Sequence, residues 1–400
     1  MNMKTFLKSL TEAGAIALWI RRNRNLLLTK NRLNKQLPRS YRQKFYKTWV
    51  LSHLGVRRQH FKTEDGSFTP LTIKISPTMR CNLACVGCFA GNYPTSGDMA
   101  FDVLKGIVLQ AMALGIPSVG IIGGEPLLLP NVLDLFKQCP SVGFYLVTNG
   151  TRVSPEFVST LKELPNVITT FSIDGFEKTN DELRGEGVFA KIVNSMALMK
   201  QAGLAFGFST TIHRKNLREV ISEQYLDFMI ERGCLFGAFL PYIPVGSTPM
   251  YDFVCSQSEV QNYYRQLDTI GMTRPILILK EGYSDGTFLN SGCGAGHTMH
   301  ITEKGEVEPC NGIEFATDNV HSATVEGAFM SNYFRDVRKL HAKNSRKCLV
   351  IAEPEAVLEV VKKHNAQPTH IGALEHFERY AALIRDDRAS DRGKSATTSQ

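Results

Sequence analysis

Residues 71–88 read LTIKISPTMRCNLACVGC. Leu71–Ser76 is a short apolar run, the pattern of a buried strand, and Pro77 ends it because proline cannot donate to a sheet ladder. Cys81, Cys85 and Cys88 follow in a CxxxCxxC spacing. Three thiolates packed this tightly suit an iron–sulfur cluster better than a disulfide network. A [4Fe–4S] cube usually takes four cysteines, so three local ligands leave one iron open to a small molecule. Zinc is the competing metal, but it favours four ligands from paired knuckles, and no second knuckle lies nearby. The loop would sit at the C-terminal end of the first strand, where α/β barrels carry their chemistry.

Beyond this segment, apolar strands alternate with helical stretches as far as residue 245. The expected strands are Leu71–Ser76, Ser118–Ile122, Gly143–Val147, Val167–Ile173, Ala205–Ile212 and Leu235–Tyr242. Helices are expected at Phe101–Leu114, Pro130–Gln138, Pro155–Leu164, Val188–Ala202 and Asn216–Arg232. Six strands with helices between them imply a parallel sheet. The length is too short for eight units, so an open, roughly six-unit α/β barrel is the expectation. Residues 246–290 read as a mixed connection. A second cysteine-bearing region spans 291–350, and helices follow at Pro354–His364 and Ala373–Ile384. The expected division is a helical N-terminal extension (1–65), a barrel (66–246), a smaller C-terminal α+β domain (247–375) and a disordered tail (386–400).

The chain has 400 residues, 43% of them hydrophobic and 21% charged, which fits a globular protein with a large core. Its nine cysteines lack the spacing of a small secreted scaffold. Thiolate ligands need a reducing compartment, so a cytoplasmic location is expected. Residues 1–65 carry 15 Lys/Arg against three acids, a net +12, so the remainder is about −4 of the total +8. The apolar run Ala13–Ile20 is far short of the roughly 20 residues of a spanning helix. An amphipathic helix here would lie on anionic lipid at the inner membrane face, grip an acidic partner, or dock as a cap on the barrel. No specific nucleic-acid module is recognisable.

Polar residues cluster at the expected strand ends. Gly123, Gly124, Glu125 and Pro126 follow the second strand, Thr148 and Asn149 end the third, and Ser172 and Asp174 end the fourth. Arg184 follows in ELRG, and His213 ends the fifth. Thr148 and Asn149 also suit a helix cap, and a lone histidine such as His213 is more often structural. Cys139 and Cys234 sit in apolar segments and read as core. In the second region, Cys293 and Cys310 flank the expected strands His300–Thr302 and Val307–Pro309, joined by the turn Glu303–Glu306.

The cysteine spacing and the GGEP loop together resemble the radical S-adenosylmethionine (SAM) superfamily. Its signature places an aromatic before the third cysteine; here that place holds Gly87, and Phe89 falls one residue later. The resemblance implies a cluster on Cys81, Cys85 and Cys88 that cleaves SAM reductively to a 5′-deoxyadenosyl radical, which takes a hydrogen from substrate. It implies that Gly123, Gly124, Glu125 and Pro126 meet the methionine amine. Asn149, Ser172 and Asp174 would line the SAM cavity, and Arg184 would reach the SAM carboxylate. The 293–310 hairpin resembles a SPASM/twitch domain, with Cys293, Cys310 and Cys348 holding an auxiliary cluster. Cys255, Asp285, His297 or substrate would complete it. Such members modify peptides or proteins and draw electrons from reduced flavodoxin or ferredoxin. The alternative is a lipid or other small metabolite handled at the membrane surface.

Overall fold

The computed structural model describes residues 24–51, 70–91, 97–283, 293–343 and 347–397. Seven strands run parallel in chain order: β1 (Thr72–Ile75), β2 (Ser118–Ile121), β3 (Gly143–Thr148), β4 (Val167–Ser172), β5 (Phe206–Ile212), β6 (Phe236–Pro241) and β7 (Leu277–Lys280). Helices cover the sheet, so its inner strands are apolar on both faces. Every residue of β2 is buried, as are Ile73, Ile75, Phe144, Leu146, Phe171 and Phe208.

All six expected strands are present. The seventh lies where the sequence reads as a mixed connection. Its four residues, LILK, are too short a run for periodicity to separate strand from helix. The expected helix Asn216–Arg232 is two helices, Leu217–Val220 and Glu223–Arg232, because the Ser222 hydroxyl caps the second by accepting from Tyr225 N–H.

The expected hairpin forms β8 (His300–Ile301) and β9 (Glu306–Glu308), antiparallel to each other. It extends the main sheet: β8 pairs parallel with β1, Lys74 opposite His300. Two short strands follow, β10 (Phe315–Ala316) and β11 (Asp318–Asn319), and β11 adds outside β9. The final strand, β12 (Gln367–Pro368), pairs with β10. The last helix runs from Ala373 to Thr397, through most of the stretch expected as a disordered tail. Tyr380, Ala381 and Ile384 pack into the core, and no proline stops the helix beyond them.

Of the basic extension, residues 1–23 and 52–69 lie outside the described residues. The described part caps the barrel. Helix Arg24–Gln36 sends Arg32 to the carbonyls of Cys234 (2.6 Å), Ile230 and Pro275 (3.3 Å). Gln36 reaches the carbonyls of Gly233 (3.1 Å) and Leu204 (3.3 Å). The cation sits at the C-terminal end of helix Glu223–Arg232, where the Ile230 carbonyl also accepts from Gly233 N–H. These carbonyls precede β5, β6 and β7, at the sheet end opposite the cysteine loop.

Candidate functional site

The strand ends β1 to β6 converge on the cysteine loop. The end of β2 lies along the loop's approach, with Gly124 N–H bonded to the Thr78 carbonyl and Glu125 N–H to the Arg80 carbonyl, both at 2.8 Å. This contact dictates the glycine pair. A Cβ on Gly123 would collide with the Thr78 carbonyl oxygen, and one on Gly124 with that of Arg80.

Glu125 is fully buried. Its carboxylate accepts from Leu127 N–H (3.0 Å), the Thr148 hydroxyl (2.8 Å) and Asn149 N–H (2.7 Å). Burial raises its pKa, and these three donors oppose the rise. Glu125 therefore ties the ends of β2 and β3 together. Pro126, also buried, opens the short turn that follows. Thr148, weighed as a helix cap, serves this tie instead.

Asn149 reaches the cysteines directly. Its Nδ2 lies 3.7 Å from the Cys81 sulfur and 3.1 Å from Asn82 Oδ1. Its Oδ1 accepts from the backbone and hydroxyl of Thr151 (2.9 and 2.7 Å), which fixes the amide orientation. Leu83 N–H also points at the Cys81 sulfur (3.4 Å). Cys81 is exposed, and Cys85 and Cys88 are half-buried.

Asp174 and Arg184 form a part-buried ion pair beside the loop. Arg184 donates to Asp174 Oδ2 from Nε (2.9 Å) and Nη2 (2.6 Å), while Thr211 N–H takes Oδ1 (2.8 Å). Val86 N–H binds the Leu183 carbonyl (2.8 Å), pinning this arginine against the cysteines. Burial works against the charge on Arg184, but Asp174, Cys85 and Cys88 hold its pKa above the ordinary value. Burial pushes the Cys85 thiol up to about 11, and Arg184 pulls the other way. Ser172 is half-buried at the end of β4. His213 is buried, stacked on Phe253 with ring centroids 4.3 Å apart, and burial lowers its pKa to about 4. That is the structural role its isolation suggested.

Cys293, Cys310 and Cys348, distant in sequence, become neighbours. The thiols of Cys293 and Cys348 share a hydrogen bond, which lowers the pKa of Cys293 and raises that of Cys348. Burial pushes Cys310 up to about 12, with Cys293 adding to the effect. Leu349 and Ala295 N–H groups face the Cys293 sulfur at 3.3 and 3.5 Å. Of the residues weighed as a fourth ligand, Cys255 is buried just before the capping residue Ser256, and His297 packs edge-on against His341. Asp285 lies outside the described residues. Cys139 and Cys234 are core, as expected.

One connection is invisible in the sequence. His300 joins the two cysteine regions: Nε2 meets the Ser76 hydroxyl and Nδ1 meets Glu308, each at 2.6 Å. The Thr369 hydroxyl donates to the other Glu308 oxygen (2.6 Å), and Phe89 lies edge-on to the His300 ring. Ser76 leads into the first trio, and Glu308 leads to Cys310. The alternation in HTMHIT was the available signal, but it does not reveal which strand His300 faces. Lys74 and Glu281 also pair unforeseen, at 2.9 Å.

Both trios are free thiols with backbone N–H groups aimed at sulfur, a donor set that suits iron–sulfur clusters. Residues 75–222 match the family model described as the radical SAM superfamily. The chain carries a radical SAM domain over those residues. The radical SAM domain thus starts in β1 and takes in the cysteine loop, the glycine pair and Arg184. Its members use a [4Fe–4S] cluster with SAM, and the chain is an enzyme of that kind.

Among curated relatives, the AdoMet-dependent heme synthase of Nitratidesulfovibrio vulgaris is 25% identical over 307 residues, 69% of this chain and 83% of that protein. The mycofactocin maturase MftC of Mycobacterium tuberculosis is 30% identical over 162 residues, 39% of this chain and 41% of that protein. Among solved structures, Streptococcus suis SuiB bound to precursor peptide SuiA shares the fold, with a TM-score of 0.57 at 18% identity, over 70% of this chain and 68% of that one. Among the described residues, no helix is long and apolar enough to cross a membrane.

Proposed function

We propose that this radical SAM enzyme modifies a peptide or protein substrate and carries a second iron–sulfur cluster on Cys293, Cys310 and Cys348. The observation that supports it most is the meeting of these three cysteines beside a hairpin attached to β1. The MftC similarity adds to it. In this reading the catalytic barrel, expected over 66–246, runs on through β7 to Lys280, and the residues after it, to 375, are the auxiliary-cluster module.

Cys81, Cys85 and Cys88 would hold the first cluster, which when bound supplies the electron that cleaves SAM. The residues around it do the positioning. The Gly123–Pro126 loop presents backbone groups close to the cysteines, with Glu125 as its internal tie. Asn149 orients Cys81, and Ser172 and Asp174 border the SAM site. Asp174 fixes one edge of the Arg184 guanidinium, leaving the other edge for a carboxylate. A flavodoxin- or ferredoxin-type donor belongs to the same reading.

A second reading, a tetrapyrrole or other small metabolite as substrate, draws on the heme synthase similarity, which covers more of the chain. Its membrane-surface form has less support, because Arg32 and Gln36 of the described extension turn toward the barrel.

The deciding experiment changes Cys81, Cys85 and Cys88 together to Ala in the full chain and counts iron and sulfide after anaerobic reconstitution. About four irons per chain are expected, one cube on the remaining trio. Absence of iron would remove the second cluster and favour the small-metabolite reading. In the wild-type protein, 5′-deoxyadenosine formation stimulated by peptides rather than porphyrins completes the test.

A further inference from the structure

Strands β2 to β6 lie between β1 and β7 in the sheet. Yet Lys74 on β1 meets Glu281, the residue after β7, with Nζ 2.9 Å from Oε2. A side chain can bridge the first and seventh strands only across the concave face of the curved sheet. Lys74 therefore points into the barrel, while Ile73 and Ile75 on either side of it point the opposite way and are fully buried.

Below Lys74 the interior is closed. Gly120 is its register partner on β2, and Tyr145 is the partner of Gly120 on β3. The Tyr145 ring lies over Gly120, where a Cβ would collide with it. The Tyr145 hydroxyl accepts from Thr72 at 3.4 Å, one inward-facing position nearer the start of β1. In the other direction Ser76, about 7 Å along the strand, leads to the cysteine loop. Lys74 is thus a cation set in the barrel wall beneath that loop.

The two charges are unequally placed. The Lys74 side chain is 14% exposed and that of Glu281 is 45% exposed. Burial opposes the charge on Lys74, but Glu281 more than restores it and holds the pKa above the ordinary value. An ammonium has three donors. Among the described residues Glu281 takes one of them, and the other two meet no protein acceptor. A half-exposed carboxylate is screened by water and holds its partner weakly.

We propose that the Lys74 ammonium anchors a carboxylate of the substrate inside the barrel, with Glu281 standing in for it in the free enzyme. An arriving carboxylate meets a cation with donors to spare, and Glu281 can turn to water. The rest of the substrate then lies between Lys74 and the cysteine loop. The same chemistry is offered by an acidic side chain of a peptide and by an acid-bearing small metabolite. The inference rests on the barrel interior being the substrate chamber, under either reading of the function.

The experiment measures binding of two probe pairs to the full, anaerobically reconstituted protein by equilibrium dialysis. One pair is a tetracarboxylate porphyrin and its methyl ester. The other is a random-sequence peptide library with glutamate at its central position and the same library with glutamine there, both C-terminally amidated. Wild type should prefer the acid member of one pair. Lys74→Met should weaken that binding roughly 10- to 100-fold, the loss of a hydrogen bond to a charged group. Glu281→Gln, which removes the competing charge, should tighten it severalfold. A structural ion pair would instead make both variants weaker. No acid preference in either pair, or any combination other than these opposite shifts, would overturn the proposal. If Lys74→Met loads no iron, Glu281→Gln decides alone: tightening supports the anchor and anything else overturns it. Preference confined to the porphyrin pair leaves the anchor standing while the peptide reading falls.

Discussion

At the residue scale, Glu125 shows how a four-residue motif acquires meaning. Its carboxylate bridges two strand ends through three donors inside the chain. Glu125→Ala would leave those donors buried and unpaired, at about 1–3 kcal/mol for an orphaned group. A loss of roughly 3 kcal/mol is expected in chemical denaturation, with reduced iron uptake. His213 gives a pH prediction. Its folded pKa, about 4, lies below the ordinary 6.5 because burial disfavours the charged ring. The neutral form's advantage is complete above the unfolded value and is lost as pH falls from 6.5 through 4. Denaturation at pH 7 and pH 5 should show wild type losing about 1–2 kcal/mol more than His213→Gln. Equal losses would mean that His213 charges freely in the folded state.

At the element scale, the decisive joint is the end of β2 laid along the approach to the cysteine loop. Gly124→Ala puts a methyl into the Arg80 carbonyl, which nothing but backbone movement can relieve. The chain should remain folded by circular dichroism while iron at the first trio falls sharply. Full iron loading would show that the loop does not depend on this contact. The strands themselves were legible: apolar runs ending in Pro77, in Gly123–Gly124 or in a polar pair announce themselves locally. Strand β7 was not, because four residues carry no readable period. Nor was the inward direction of Glu125, since a sequence records a carboxylate but not which donors reach it.

At the scale of the whole molecule, the C-terminal hairpin is part of the barrel's own sheet. Strand β1 lies between β2 and β8, with Ser76 N–H bonded to the Ile301 carbonyl at 2.8 Å. Removing residues 293–400 would bare that edge and strip Ser76 of His300. Open edges template association, so the truncated protein should be recovered as aggregate, where size-exclusion chromatography of the full chain gives a defined species. A well-behaved truncated barrel would show the two parts to be independent.

The sequence by itself determined the cofactor chemistry, since the first cysteine trio and the GGEP loop each lie within a few residues and local spacing identifies them. It also determined the parallel α/β class, because buried strands and covering helices leave periodic traces. Only the tertiary structure decided which distant groups meet: the Ser76–His300–Glu308 connection and the Lys74–Glu281 pair. The physical reason is that such contacts depend on strand register and side-chain direction. Those are fixed by the packing of the whole sheet and leave no local pattern along the chain.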